Sequence, residues 1–196
     1  ARGLCAKDGQ GRDYLLQTAG FPAAVLDLTK PETRTWIKGI IKANLLGQGF
    51  SGWMADFGEY LPTDAVLDCG EAAELVHNAY PVLWAQVNAQ AVAEAGMEGE
   101  ILWFCRSGGL GSSRYATSFW AGDQCVDWSR DDGLPSVIPA ALSLGLSGSA
   151  FWHADLGGYT TLAWLRRSRE LLCRWAELSA FAPVMRSHEG NRPDRN

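Results

Sequence analysis

The stretch that most restricts this chain is Gly49 to Asp64, GFSGWMADFGEYLPTD. Trp53-Met54-Ala55 reads as the end of a buried strand, Asp56 as the first residue past it, and Phe57-Gly58-Glu59-Tyr60 as the loop that leaves it. A carboxylate delivered at the carboxyl end of an apolar strand is half out of water on a rigid support. Parallel α/β barrels place their chemistry there. A second stretch far along the chain, YATSFWAGDQ, gives Asp123 the same setting of aromatics followed by a carboxylate.

The segments between and around these two alternate in period. Ala23 to Leu28 is predicted as a short buried strand. Thr29 and Glu32 then have capping-box spacing, with Pro31 between them, ahead of a helix carrying Trp36, Ile37, Ile40, Ile41 and Leu45 and closed by Gly47. PVLWAQVNAQAVAEAG predicts a helix ended by Gly96, and ILWFC (Ile101 to Cys105) a buried strand ending at Arg106. Tyr115 to Trp120 reads as the next strand, GLPSVIPAALSLGLSG as a helix of small residues, and SAFWH (Ser149 to His153) as another strand. Thr160 and Thr161 stand as caps for a helix carrying Trp164, Leu165, Leu171, Leu172, Trp175 and Leu178.

Strand–helix alternation predicts parallel crossovers in an α/β fold. A doubly wound sheet gathers its chemistry at one switch point. Here successive strand ends are polar, which favours a barrel. A complete (β/α)8 TIM barrel needs about 250 residues, and this chain has 196. The expectation is one incomplete catalytic domain over residues 1–196, roughly the portion from strand 3 or 4 to strand 7 or 8.

Composition narrows the function. The net charge of -5 lacks the basic face of a nucleic-acid binder, and no apolar run approaches the roughly 18 residues of a membrane span. The five cysteines are scattered without a Cys-x-x-Cys pair, and the three histidines lack metal-ligand spacing. Reduced thiols, a cytoplasmic location and no metal or other cofactor are therefore expected. The nine tryptophans recur before the informative carboxylates: Trp53 before Asp56, Trp120 before Asp123, Trp152 before Asp155. Apolar sugar faces stack on such rings, although a core position is the plainer reading for any one of them.

Asp56 and Asp123 lie about two strand–helix units apart at about 30 residues per unit. Two carboxylates about 5 to 5.5 Å apart at one barrel mouth suit glycoside hydrolysis with retention, one attacking and one donating a proton. Solvated surface carboxylates are the alternative. Arg106 suits sugar hydroxyls or a salt bridge to Asp123 or Asp155. His188 suits a sugar hydroxyl or an ordinary loop contact. Glu59 reads as the structural partner of a nearby base.

Four motifs resemble glycoside hydrolase family 31, whose members are retaining α-glycosidases. WMADFGE resembles its nucleophile motif, and RSGGLGSSRYATSFWAGDQ its acid/base motif. HADLGGY and MRSH are similar to two later segments, in the same order. The resemblance implies Asp56 as nucleophile and Asp123 as general acid/base. It implies Arg106, Asp155 and His188 in the sugar-binding shell, with Trp120 lining the pocket. Within the family, ADFGEYLPTDAV and Gly157-Gly158-Tyr159 are nearest to the sulfoquinovosidase branch, where a phenol at Tyr159 fits a sulfonate on the sugar. An α-glucosidase or α-xylosidase of the same family, or a non-catalytic sugar-binding fragment, is the alternative. The partner implied is a small glycoside, a sulfoquinovoside or α-glucoside, with no nucleic acid or membrane; oligomeric state is left open. The family's amino-terminal β-sandwich, early strands and carboxy-terminal domain are expected to be absent.

Overall fold

The structure, a computed structural model, describes residues 2–18, 20–188 and 190–192. The chain divides into two compact units, Ala1–Ala116 and Thr117–Asn196.

In the first unit, β1 (Leu15–Gln17) and β2 (Pro22–Ala24) form an antiparallel hairpin. This corrects the buried parallel strand expected at Ala23 to Leu28. Leu26 is held by an antiparallel bridge to Cys5, and past the hairpin Val25 and Leu28 enter the core while Asp27 between them is buried as well. Helix α1 (Pro31–Asn44) follows, with Pro31 in its first turn. The predicted capping box does not form. Lys30 is the N-cap, and the Thr29 hydroxyl instead donates to Asp27 Oδ1 at 2.6 Å. Buried Asp27 also accepts from the Asp68 N–H at 2.7 Å, so its carboxylate ties two loops together. The helix ends at Leu45 rather than Gly47. A short 3-10 turn (Leu46–Gln48) and left-handed Gly49 then lead into the next strand.

Strand β3 (Gly52–Ala55) pairs in parallel with β4 (Leu102–Cys105), Gly52 opposite Leu102 and Ala55 opposite Cys105. The crossover between them carries α2 (Ala73–Val76) and α3 (Tyr80–Glu94), with Pro81 in the first turn of α3. Helix α3 packs against α1. Ile41, Leu28, Leu61, Tyr80, Val87 and Ala91 fill the core of this unit. The link from β4 to the next strand contains a 3-10 turn (Ser112–Arg114) but no α-helix. The regular strand–helix repeat is broken there, where the sequence RSGGLGSSRY has no apolar helical stripe.

In the second unit, β5 (Ser118–Trp120) pairs in parallel with β6 (Trp152–His153), and α4 (Leu134–Leu146) makes the crossover. Helix α5 (Arg169–Ser179) starts later than predicted. Thr160 and Thr161 are not its caps; the Ser168 side chain accepts from the Leu171 N–H at 3.1 Å. Trp164 accordingly lies outside the helix and is 86% exposed. Trp175 and Leu171 enter a core with Val126, Leu134 and Val137. Among the described residues no helix is long and apolar enough to cross a membrane.

Candidate active site

Strand pairing decides what stands at the end of β3. Because Ala55 is opposite Cys105, the next residues in each strand, Asp56 and Arg106, leave the pair at the same level. Gly52 makes the close approach possible, since a Cβ there would lie 2.1 Å from the Leu102 carbonyl oxygen. Arg106 Nη1 is 3.3 Å from Asp56 Oδ1, and the same oxygen accepts from the Phe57 N–H at 2.6 Å. Arg106 Nε donates to Glu59 Oε1 at 2.9 Å, and Nη2 donates to that oxygen too. Glu59 thus has the structural pairing expected of it, and its base is the predicted site arginine.

The loop after Asp56 is bent to make this contact. Phe57 has φ +61, which costs a residue with a Cβ on the order of 1–3 kcal/mol. Its carbonyl accepts from Ser107 Oγ at 2.7 Å, so the strained turn is held from the end of β4. Gly58, with φ +88, sits where a Cβ would be 2.6 Å from the Trp84 ring. Trp84 Nε1 donates to the Ala55 carbonyl at 3.2 Å, and Trp53 Nε1 to Asn88 Oδ1 at 2.9 Å, so two ring N–H groups fasten β3 to α3. The Arg106 guanidinium lies 5.0 Å from the Phe57 ring centre. Burial works against its charge, but the Glu59 hydrogen bond and the two carboxylates more than offset that and raise its pKa. Burial, with Glu59 and Asp56 adding to it, pushes the Cys105 thiol up to about 12, which leaves it inert. Glu59 and Arg106 face an open cleft of about 970 Å³, lined also by His77, Pro81, Ser107 and Leu110.

The second unit carries the remaining predicted residues. Trp120 ends β5 and is buried, with Nε1 donating to the Gly122 carbonyl at 2.9 Å. Asp123 follows the left-handed Gly122, and its carbonyl accepts from the Thr160 hydroxyl at 2.6 Å. Asp155, two residues past β6, is fully buried with Arg186 Nη2 2.6 Å from its Oδ1. Burial raises its pKa to about 6; Asp123 adds to this, while Arg186 and His188 oppose it. Arg186 Nε also donates to His153 Nε2 at 3.1 Å. Arginine can only donate, so that nitrogen of His153 is the acceptor. Burial and then the Arg186 charge hold His153 down at about 4. The rings of Tyr159 and His188 lie 4.7 Å apart, tilted by 33°.

Asp56 and Arg106 therefore meet within the first unit, and Trp120, Asp123, Asp155, Tyr159 and His188 belong to the second. Arg186 and His153 were not singled out as site residues in the sequence. Arg186 lies within the MRSH motif, two residues before His188, and His153 ends an apolar strand two residues before Asp155; those offsets were the available signal. Among the described residues no group of three or more His, Cys, Asp or Glu side chains is placed to hold a metal ion.

The family model for the TIM-barrel domain of glycosyl hydrolases family 31 matches residues 1–196. The chain belongs to glycosyl hydrolase family 31. It is 57% identical over 194 residues to a sulfoquinovosidase from Escherichia coli (strain K12), covering 99% of this chain and 29% of the relative. It is 50% identical to a sulfoquinovosidase from Agrobacterium fabrum, again covering 99% of this chain and 29% of that protein. Among solved structures, a family 31 sulfoquinovosidase from E. rectale, in complex with the aza-sugar inhibitor IFGSQ, superposes with a TM-score of 0.97 at 52% identity. That match covers 100% of this chain and 29% of the neighbour. The chain thus spans under a third of the length of these family members, and the α/β barrel architecture expected from strand–helix alternation is that of the family.

Proposed function

We propose that the protein carrying this chain is a retaining α-glycoside hydrolase acting on α-sulfoquinovosides, sulfoquinovosyl glycerol among them. The observation that carries the reading is the carboxylate of Asp56, fixed just past β3 with Arg106 Nη1 at 3.3 Å. Double displacement needs one carboxylate oxygen aimed at the anomeric carbon, and the guanidinium and the Phe57 N–H together fix the direction of this one.

In the proposed reaction an Asp56 oxygen attacks the anomeric carbon while the bond to the aglycone oxygen breaks. The Asp123 carboxylic acid gives that oxygen its proton, and a glycosyl ester remains on Asp56. The Asp123 carboxylate then takes a proton from water as the water oxygen attacks the anomeric carbon, and Asp56 is released as a carboxylate. Two inversions leave the anomeric configuration unchanged. Arg106, Trp120, Asp155, Tyr159 and His188 form the proposed sugar-binding shell, with the Tyr159 phenol directed to the sulfonate. Identities of 57% and 50% to two sulfoquinovosidases support that substrate class. The chemistry calls for no metal or organic cofactor. The chain would supply one section of the barrel and the rest of the protein the remainder. Five free cysteines support a reducing, cytoplasmic setting.

The test is a mechanism-based fluoroglycoside with the sulfonate in place, followed by peptide mass spectrometry. An adduct on Asp56, absent from Asp56→Asn, together with faster turnover of nitrophenyl α-sulfoquinovoside than of nitrophenyl α-glucoside, is the expected outcome. An adduct on another residue would end the nucleophile assignment. Preference for the glucoside would return the substrate to the α-glucosidase reading.

A further inference from the structure

Arg167 lies in the basic stretch Arg166 to Arg169, which none of the family-like motifs includes. Its side chain is half-buried and turns back onto the loop that follows β6. Nε donates to the Gly157 carbonyl at 2.9 Å, and Nη2 donates to the Gly158 carbonyl at 2.7 Å. Both glycines are left-handed, with φ +89 and +77. A Cβ on Gly157 would come within 2.7 Å of Arg167 Nε, and one on Gly158 within 3.1 Å of the Cys125 carbonyl. The loop is therefore tight at both positions as well as left-handed, and at Gly157 it is the Arg167 side chain that fills the space beside it. Two parallel N–H donors on successive carbonyls fix the direction of the turn in a way a single point donor does not.

The residue this turn presents is Tyr159. Its N–H donates to the Gln124 carbonyl at 2.9 Å, and its ring rests against His188. We propose that Arg167 is a positioning residue for substrate recognition: through the two glycine carbonyls it fixes where the Tyr159 hydroxyl stands. The inference rests on the sugar-binding role given to Tyr159 above. The competing explanation is a purely structural tie. Arg167 precedes Ser168, the cap of α5, and Leu172 of that helix packs over Gly157, so the same bonds could serve only to dock the helix.

Coupling between Arg167 and Tyr159 separates the two. In the protein carrying this chain, Arg167→Gln, Arg167→Lys, Tyr159→Phe and the double variant Arg167→Gln/Tyr159→Phe are compared on nitrophenyl α-sulfoquinovoside and nitrophenyl α-glucoside. Arg167→Gln is expected to raise KM for the preferred substrate about ten-fold with a smaller change in kcat, since misplacement of a binding group is costly. Arg167→Lys should fall between wild type and Gln. In the Tyr159→Phe background the Gln substitution should add less than about three-fold, because residues acting as one unit are not additive. Equal loss in both backgrounds, or a lowered melting temperature with KM unchanged, overturns the proposal. If the Gln variant does not fold, the Lys variant in the same two backgrounds reads the same coupling. Should wild type prefer the glucoside, the sulfonate reading fails, while the coupling measured on the glucoside still decides the role of Arg167.

Discussion

Thr160 donates its hydroxyl to the backbone carbonyl of Asp123 at 2.6 Å. The main chain reinforces the tie: the N–H groups of Tyr159 and Thr160 both donate to the Gln124 carbonyl, at 2.9 and 2.8 Å, and the Val126 N–H returns to the Thr160 carbonyl at 3.1 Å. The residue proposed as acid/base is thus held by the loop after β6, not only by its own strand. Thr160→Val keeps the shape and removes the donor. The expected cost is about 1 kcal/mol of stability. Activity should fall more on a glycoside with a poor, alkyl leaving group than on the nitrophenyl glycoside, because proton donation matters most when the leaving group is poor. Equal losses on the two substrates would separate Thr160 from proton transfer.

Glu59 accepts from two nitrogens of Arg106 with one oxygen, and Arg106 in turn faces Asp56. Glu59→Gln keeps an acceptor but removes the charge that favours this guanidinium orientation. The side chains of Arg106 and Glu59 are only 20% and 30% exposed, so removing one charge should cost stability on the order of 1–3 kcal/mol. A kcat decrease of about ten-fold is expected in addition, measured well below the melting range, because a fixed donor geometry at the reacting carboxylate is lost. Arg106→Lys should be worse, since an ammonium cannot reach two carboxylates as a fork does. A Glu59→Gln variant with wild-type kcat would show that Arg106 needs no second carboxylate.

The strand ends were legible in the sequence because the code there is local. Apolar runs such as ILWFC followed at once by a polar residue placed β4 and Arg106, and Trp53-Met54-Ala55 placed Asp56. What the sequence reading missed was decided by competition between groups distant in the chain. Thr29 looked like a cap until buried Asp27 took its hydroxyl, a contest no spacing rule describes. Ser168, not Thr160 or Thr161, caps α5, because Thr160 is committed to Asp123 and Thr161 accepts from the Arg192 N–H at 3.1 Å. The left-handed Phe57 carried no signal, since its strain is held by Ser107 across the strand pair.

Gly52 and Gly39 offer a matched pair of substitutions. At Gly52 an added methyl meets the Leu102 backbone oxygen at 2.1 Å, and backbone cannot move aside without opening the β3–β4 pair. Gly52→Ala should cost about 3 kcal/mol or more, or prevent soluble expression. At Gly39, inside α1, an added methyl meets nothing within 4 Å. Gly39→Ala should therefore stabilise by about 0.5–1 kcal/mol. Thermal melting of the two variants checks both signs, and comparable destabilisation by the two would refute the packing argument.

His153 and Asp155 give opposite pH dependences to stability. Burial and Arg186 hold His153 at about 4, against an ordinary value of 6.5. As pH falls from about 6.5 to about 4, the unfolded imidazole takes up a proton and the native one does not. The unfolded state then binds more protons, so stability is lost through that window. Asp155, raised chiefly by burial to about 6, behaves the other way. Its native carboxyl takes up a proton below about pH 6, while the unfolded one waits until about 4, so stability is gained as pH falls between those values. In the wild type the two slopes oppose each other. His153→Gln keeps an acceptor for Arg186 Nε and cannot titrate. Its stability relative to wild type should rise as pH is lowered from about 6.5 to about 4 and stay flat above about pH 7. Asp155→Asn should show the reverse, losing ground to wild type between about pH 6 and about 4. Denaturant unfolding of the three proteins at about pH 7.5, 5.5 and 4.5 measures both differences; a His153→Gln difference independent of pH would mean that the native imidazole takes up its proton at the ordinary value.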